Sequence, residues 1–581
     1  MRILLLCHGF NSLTQRLFCD LSAAGHEVSV EFDINDAVTE EAVGLYKPEV
    51  LIAPFLKRAI PATVYENLQC FVVHPGPPGD RGPNALDWAV LDNAETWGVT
   101  VLQAVAELDA GPVWASRSFA LRPASKSSLY RNEVAEAAVS AVFEALGKIG
   151  CGQFPEQIVE DAFYWRPSVR QADRKIDWQN DETETVLRKI RSADGMPGLR
   201  DKVFGENVFL YDARLCREVL EDAIEPGTVI LRSGPAIAIK TVDGAVWIGH
   251  VRKASGDAVK LPMTRSFAKQ SSALPDVPGG YRDIAYEIIG DVGYLCFDFY
   301  NGAMGTDDCR RLLRAFQAAV ASDVKVLVLM GGPDHWSNGL NLNLIEAAES
   351  PAEESWANIQ AMDDLAEAII RTTDKWIISA MGGNAGAGGV FLARAADEVW
   401  ISTGVVLNPH YKDMGNLYGS EYWTYLLPKY AGAENARKIA QARLPMGARE
   451  AVSLGLADRL FDDAPGTFKD AVTAAANELA GENLTERLSE KRKGREQDEL
   501  SKPLASYRAS ELEHMHKNFF GFDPSYHVAR YNFVRKVPKS RTPLTLAIHR
   551  KGKSKRRLQT SVVGPAPEVL RPEVKSHRWQ D

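Results

Sequence analysis

Short apolar runs alternating with amphipathic stretches set the reading of the first part of the chain. Arg2–Cys7, Glu27–Phe32, Val50–Ala53 and Cys70–Val73 have the length and β-branched content of buried strands. Between them the pattern turns helical, as in SLTQRLFCDLSAAG over residues 12–25. This alternation predicts strand–helix–strand units and a parallel sheet, with loops gathered at the carboxyl ends of the strands. A long amphipathic stretch from Leu129 to Lys148 predicts the helix that closes the unit. The rhythm then changes. KIDWQNDETETVLRKIRSADGMPG (175–198) predicts a helix bounded by Asp and Gly. Strands follow near Thr228–Leu231, Ala236–Lys240 and Ala245–Val251, with closely spaced turn residues that suggest a small β-barrel. The Ser/Pro/Gly-rich stretch QSSALPDVPGGY (270–281) marks another boundary. Beyond it, Val292–Phe299, Val324–Met330 and Trp376–Met381 predict a second α/β unit, and from about residue 467 the chain is helical and highly charged.

The expected organisation is therefore an α/β multidomain protein with units at 1–165, 166–270, 271–466 and 467–581. The 581 residues are too many for one hydrophobic core, which agrees with this division. A net charge of −9 argues against a nucleic-acid-binding surface over the whole chain. The start, MRILLLCHGF, reads as a first strand rather than a signal peptide, and no run approaches the roughly 18 apolar residues of a membrane span. Seven scattered cysteines without a CxxC pair fit a cytoplasmic protein and argue against structural zinc. His514 and His516 have no third ligand candidate, so no metal is expected. The basic run RKGKSKRRLQ (550–559) reads as a solvated tail or as a surface for phosphates or a partner protein.

Two places carry candidate chemistry. His74 ends an apolar run, precedes a Gly/Pro loop, and is followed at a distance by Asp109 within Leu108-Asp109-Ala110-Gly111-Pro112. A strand-end histidine is commonly structural. Here its place at a carboxyl end and a second Gly/Pro-flanked turn carrying an acid suggest acyl transfer, with imidazole and carboxylate handling proton and charge. The second place combines DHWSNGLNLN (334–343) with KWIISAMGGNAGAGGVFLA (375–393). Each sets a Gly-rich turn after a strand, either for tight packing or to aim two backbone N–H groups at one oxygen.

Residues 1–255 resemble the folate-dependent formyltransferases, methionyl-tRNA formyltransferase above all. The matching segments are Val72-Val73-His74-Pro75…Arg81-Gly82, Gly98-Val99-Thr100, Leu108-Asp109-x-Gly111-Pro112 and Lys175-Ile176-Asp177-Trp178. The resemblance implies 10-formyltetrahydrofolate as formyl donor, His74 and Asp109 in catalysis, and the pterin lying near Lys57 and a 104–109 strand. One departure stands out: that family has Asn two residues before the histidine, and this chain has Val72. Losing such a donor costs an oxyanion site about 3 kcal/mol. A thiol acceptor therefore fits better than an ordinary amine.

Residues 285–465 resemble the crotonase (enoyl-CoA hydratase/isomerase) superfamily. By position, the oxyanion N–H groups fall on Asn338 and Gly388, while the hydratase acids fall on Phe391 and Tyr411. Hydration is thus not expected; Tyr411 and Glu421 remain as acid and base, with His410 as a rival. The whole combination, including YHVARYNFVRK (526–536), resembles the HypX/HoxX family of hydrogenase maturation factors. That resemblance implies formyl transfer from 10-formyltetrahydrofolate to CoA, then decarbonylation of formyl-CoA to the carbon monoxide ligand of a nickel–iron hydrogenase. It places CoA near Arg131 and Ser192, with Gln15 and Arg16 as further contacts, and makes hydrogenase maturation proteins or the hydrogenase precursor candidate partners. The competing readings are a formyltetrahydrofolate hydrolase or formyltransferase with an inert crotonase-like scaffold, and a non-enzymatic chaperone.

Overall fold

The computed structural model describes residues 1–157, 163–219, 223–462, 467–481 and 483–551. Its first sheet has the order Glu27–Phe32, Arg2–Cys7, Val50–Phe55, Gln69–His74, Thr96–Gln103, Val113–Ala120. The first four strands run parallel, as the apolar runs predict. Thr96–Gln103 runs antiparallel to both its neighbours, so the sheet is mixed rather than parallel throughout. The Pro/Gly turn between Gln103 and Val113 is too short for a crossover helix, and it closes a hairpin instead. The helix predicted over 129–148 forms as Lys126–Leu129 and Ala135–Gly150, joined by a π-helical turn at Tyr130–Val134. Such turns tend to mark functional positions.

The second unit is an antiparallel sheet in the order Val229–Ser233, Ala236–Lys240, Ala245–Lys253, Glu206–Cys216, Leu199–Val203, with Leu261–Pro262 added to Ala245–Lys253. Ile237, Ile248 and Val251 of this sheet pack with Val186, Leu187 and Ile190 of the helix Thr183–Arg191.

The third unit stacks two sheets. Six strands run in the order Ile284–Ile289, Val292–Phe297, Val326–Met330, Trp376–Met381, Glu398–Ser402, Arg459–Phe461. Four short ones, His335–Ser337, Asn384–Gly386, Val406–Asn408 and Met446–Gly447, form the second sheet. Leu329, Met362, Ile377 and Leu392 are all buried in the core they enclose.

The C-terminal helices complete this unit and then leave it. Val472, Ala476 and Leu479 of Phe468–Gly481 bury against Val292, Val326 and Trp400. Leu504–Phe520 brings Met515 and Phe519 onto Leu417 and Tyr526. The segment beyond Val534 returns to the first unit. There Leu546 O accepts from Val30 N (3.1 Å) and Thr542 Oγ1 from Phe32 N (2.8 Å), which covers the edge strand. Of the basic run, Lys551 is the last residue within the described part. No described helix is long and apolar enough to cross a membrane, and no described group of three His, Cys, Asp or Glu side chains could hold a metal ion.

Candidate functional site

The first centre forms where the strand Gln69–His74 ends. Buried His74 sits between two carboxylates: Nε2 is 2.8 Å from Asp80 Oδ2, and Nδ1 is 3.6 Å from Asp109 Oδ1. Asp109 occupies the left-handed region at φ 55° and accepts from Gly82 N at 3.3 Å. It arrives on the hairpin turn, where Gly111 lets the chain close: a Cβ there would lie 1.8 Å from Gln103 O. Arg81 buttresses the turn through its Nη2 bond to Leu108 O (3.1 Å) and its ion pair with Glu107 (2.6 Å).

The sequence motifs do not point to Asp80. The loop folds back so tightly that a Cβ at Gly76 would meet Asp80 Oδ2 at 2.4 Å and His74 Nε2 at 2.5 Å. The Gly/Pro-rich spelling of 75–82 is the signal that could have found it. Lys57 is exposed on the loop after Val50–Phe55. Residues 104–109, expected as a strand, form a loop in which Val105 and Leu108 are exposed.

The second centre lies in the third unit. The Tyr411 hydroxyl donates to Glu421 Oε2 at 2.6 Å and lies 3.0 Å from Ser420 O. Its ring stacks on Phe391 with centroids 5.5 Å apart, so the position of a lost acid now supports the tyrosine. Gly419, at φ 93°, admits that ring: a Cβ would lie 2.1 Å from Tyr411 Cε2. The Glu421 carboxyl lies against the Gly388 backbone, where a Cβ would meet Oε1 at 2.1 Å. Burial, reinforced by the nearby Asp363 charge, pushes Glu421 up to about 8 despite the Tyr411 hydrogen bond. Burial and the Glu421 charge hold the Tyr411 phenol well above its ordinary range. The expected oxyanion pair is only half in place. Gly388 opens the helix Gly388–Arg394 and faces Gly339, where a Cβ would lie 3.5 Å from Gly388 N. Asn338 N instead donates to Gly302 O at 2.7 Å. His410 is partly buried with Nδ1 unpaired, and burial lowers its pKa.

The two centres belong to units locked together by several predicted residues. Gln15 Oε1 accepts from Asn408 Nδ2 (2.9 Å), and Arg16 donates to Gly404 O (2.9 Å). Arg131 Nη1 donates to Asp334 Oδ2 at 3.1 Å, and Ser128 and Asn132 hold Asp334 Oδ1 at 2.6 and 2.9 Å. Ser192 corrects an expectation: it is fully buried, and its hydroxyl donates to Lys189 O at 2.8 Å within its own helix end. A cation missed by sequence lies at this junction. Lys260 donates to Tyr300 OH at 2.7 Å and sits 3.7 Å above the Tyr211 ring. Burial, together with Lys536 and Arg131 nearby, brings it down to about 8.

Fold and centres define a fusion of a formyltransferase-type unit with an enoyl-CoA hydratase/isomerase-type unit. Two family models bear this out: the formyl transferase C-terminal domain matches residues 168–267, and enoyl-CoA hydratase/isomerase matches residues 303–526. Methionyl-tRNA formyltransferase from Dechloromonas aromatica is 25% identical over 255 residues, covering 43% of this chain and 80% of its own. The hydrogenase maturation factor HoxX of Bradyrhizobium diazoefficiens is 57% identical over 95% of this chain and 97% of its own. A crystal structure of HypX from Aquifex aeolicus in complex with tetrahydrofolic acid superposes with a TM-score of 0.91 at 46% identity, covering 95% of this chain and 99% of that one. The chain belongs to the HypX/HoxX family of hydrogenase maturation factors.

Proposed function

We propose that this protein makes carbon monoxide in two steps. At the first centre the CoA thiol attacks the formyl carbon of 10-formyltetrahydrofolate. The bond to the folate nitrogen breaks, that nitrogen takes the thiol proton, and formyl-CoA and tetrahydrofolate result. His74 relays the proton, with Asp80 and Asp109 holding the imidazole from both sides. Val72 offers no hydrogen bond to the formyl oxygen, which suits a thiol acceptor. At the second centre ionised Glu421 takes the formyl hydrogen as a proton. The C–S bond breaks toward sulfur, Tyr411 protonates the thiolate, and carbon monoxide leaves. The 2.6 Å hydrogen bond then returns the proton from Glu421 to Tyr411, with no oxidant or reductant required. CoA's phosphates find suitable cations in Arg131, Lys260 and Lys536 at the junction. The tetrahydrofolate bound by the HypX relative supports the folate half. The product would serve as the hydrogenase ligand, with hydrogenase maturation proteins or the enzyme precursor as recipients.

The observation that carries the proposal is the buried Tyr411–Glu421 pair in a crotonase-type site whose other acid position is Phe391. The bond from Asn338 N to Gly302 O favours a second reading, in which this unit is an inert scaffold and the first centre only hydrolyses formyltetrahydrofolate. The test supplies purified protein with 10-formyltetrahydrofolate and CoA and follows carbon monoxide by the haemoglobin spectral shift. The proposal expects CoA-dependent carbon monoxide that is lost in Tyr411→Phe and Glu421→Gln. Formate alone, formed equally without CoA, would establish the scaffold reading.

A further inference from the structure

Glu421 stands on a backbone that side chains rarely tolerate. Gly419 has φ 93°, and Glu421 and Tyr422 follow at φ 61° and 59°. Consecutive left-handed non-glycine residues persist only where the surroundings over-determine them. Here two buried carboxyls from different helices do so. Asp363, on Pro351–Arg371, accepts from Glu421 N and Ser420 Oγ, both at 2.8 Å. Glu511, on Leu504–Phe520, accepts from Tyr422 N (3.0 Å), Thr424 N (2.8 Å) and Thr424 Oγ1 (2.5 Å). Asp363 and Glu511 are both fully buried. Arg508 approaches Asp363 only to 3.9 Å and makes its shorter ion pairs with Asp364 (2.6 Å) and Glu367 (3.0 Å).

We propose that Asp363 and Glu511 are positioning residues of the second centre: they hold the strained turn that presents Glu421 to Tyr411. This inference rests on the reading of Glu421 as the base for the formyl proton. The groups facing Glu421 are Tyr411 on its own loop, Cys309 on Thr306–Val320, Asp363 with Arg508 behind it, and Glu511; Glu367 holds the Tyr422 hydroxyl at 2.8 Å. Two of these neighbours are carboxyls in the same dry environment, so that ionisation of any one raises the others' affinity for a proton. Burial first, then those neighbours, accounts for the value of about 8 at Glu421. A base that retains its proton to that point is stronger than an ordinary carboxylate, and the proton lies close to the donor that must be restored. The arrangement also gives the C-terminal extension a chemical task, because Glu511 belongs to it.

The test titrates the full-length protein by infrared spectroscopy and follows the protonated-carboxyl band that disappears in Glu421→Gln. In Asp363→Asn and Glu511→Gln its midpoint should move down by on the order of one pH unit. The acid limb of carbon monoxide release should move with it, with KM for formyl-CoA unchanged. Glu511→Asp, which keeps the charge, should restore the midpoint. A midpoint that stays in place in the neutralised variants, or that Glu511→Asp fails to restore, overturns the inference, even if rates fall. Absence of carbon monoxide from the wild type would instead sink the reading of Glu421 as base, while the infrared midpoint still decides whether the two carboxyls govern it.

Discussion

At the scale of single residues, the second centre is the more legible in sequence. The aligned glycine turns locate Gly388 and the position of Phe391, and what is missing there draws attention to Tyr411 and Glu421. The structure brings those two within 2.6 Å. Tyr411→Phe and Glu421→Gln are each expected to reduce carbon monoxide release by about 10²-fold or more, the usual worth of a general acid or base. Consumption of 10-formyltetrahydrofolate should continue, and the contrast between the two assays is the check. The first centre is half legible. His74 and Asp109 stand on motifs, but Asp80 reaches His74 only because the Gly76 turn folds back, and no periodicity announces such a reversal. Asp80→Asn keeps the shape and removes one charge from the imidazole. Its formyl transfer to CoA, measured as tetrahydrofolate release, should fall about 10²-fold while carbon monoxide release from supplied formyl-CoA is unchanged. Ser192 misleads because a polar residue at a helix end has two uses. The structure gives its hydroxyl to the Lys189 carbonyl.

At the scale of elements, the seven apolar runs named in the two α/β units fall close to observed strand ends because buried strands of this kind are nearly continuous apolar runs, whereas the pattern does not announce Val113–Ala120, Ile284–Ile289, Glu398–Ser402 and Arg459–Phe461. The antiparallel pairing of Thr96–Gln103 is hidden, since pairing direction follows from connections rather than from composition. Hidden too is the use of Leu504–Phe520, a charged helix whose Glu511 points inward and is fully buried. Its burial has a thermodynamic consequence. Desolvation raises Asp363 to about 7, Glu421 to about 8 and Glu511 to about 8. An unfolded chain would release these protons near pH 4. Between that point and about pH 8 these three groups hold more protons in the native state than in the unfolded one, so their contribution to stability falls as pH rises, opposed below about pH 6.5 by His335 and His410, whose values burial lowers. The thermal midpoint should decline from about pH 6.5 to pH 8, above the range in which the lowered histidines oppose it. Glu511→Gln should flatten the decline, because one of the raised groups is gone. A wild-type midpoint that climbs steadily toward pH 8 would contradict these assignments.

At the scale of the whole molecule, the order of units is written in the changing hydrophobic rhythm, whereas their mutual locking is not. Arg16 meets Gly404 and Gln15 meets Asn408 across nearly four hundred residues, distances over which no local pattern carries information. The return of the chain to its beginning is equally silent in sequence, because Thr542, Leu546 and His549 follow no helical or strand period. In the structure they close the edge strand Glu27–Phe32 through a buried cluster. Glu31 Oε2 receives His549 Nε2 at 2.9 Å and Arg550 Nε at 2.6 Å, and Oε1 receives Thr542 Oγ1. Burial alone would raise Glu31, but the bonds from His549, Thr542 and Arg550 prevail and lower it. The sign is thus opposite to that of the carboxyls around Glu421. The stabilisation from Glu31 is present above its unfolded value and is lost as pH falls through the folded one. Glu31→Gln leaves His549 and Arg550 facing an uncharged partner, which is costly at a buried pair. Hydrogen exchange at Val30 N and Phe32 N, the two amides bonded to the returning segment, reads the effect directly. Exchange should quicken about tenfold or more in Glu31→Gln at neutral pH, equivalent to about 1.4 kcal/mol of lost closure, and the wild type should approach the variant's rate on acidification once intrinsic exchange is corrected for. Equal protection in both proteins would mean that Leu546 and Ile548, through their apolar contacts, hold the segment without the charge cluster.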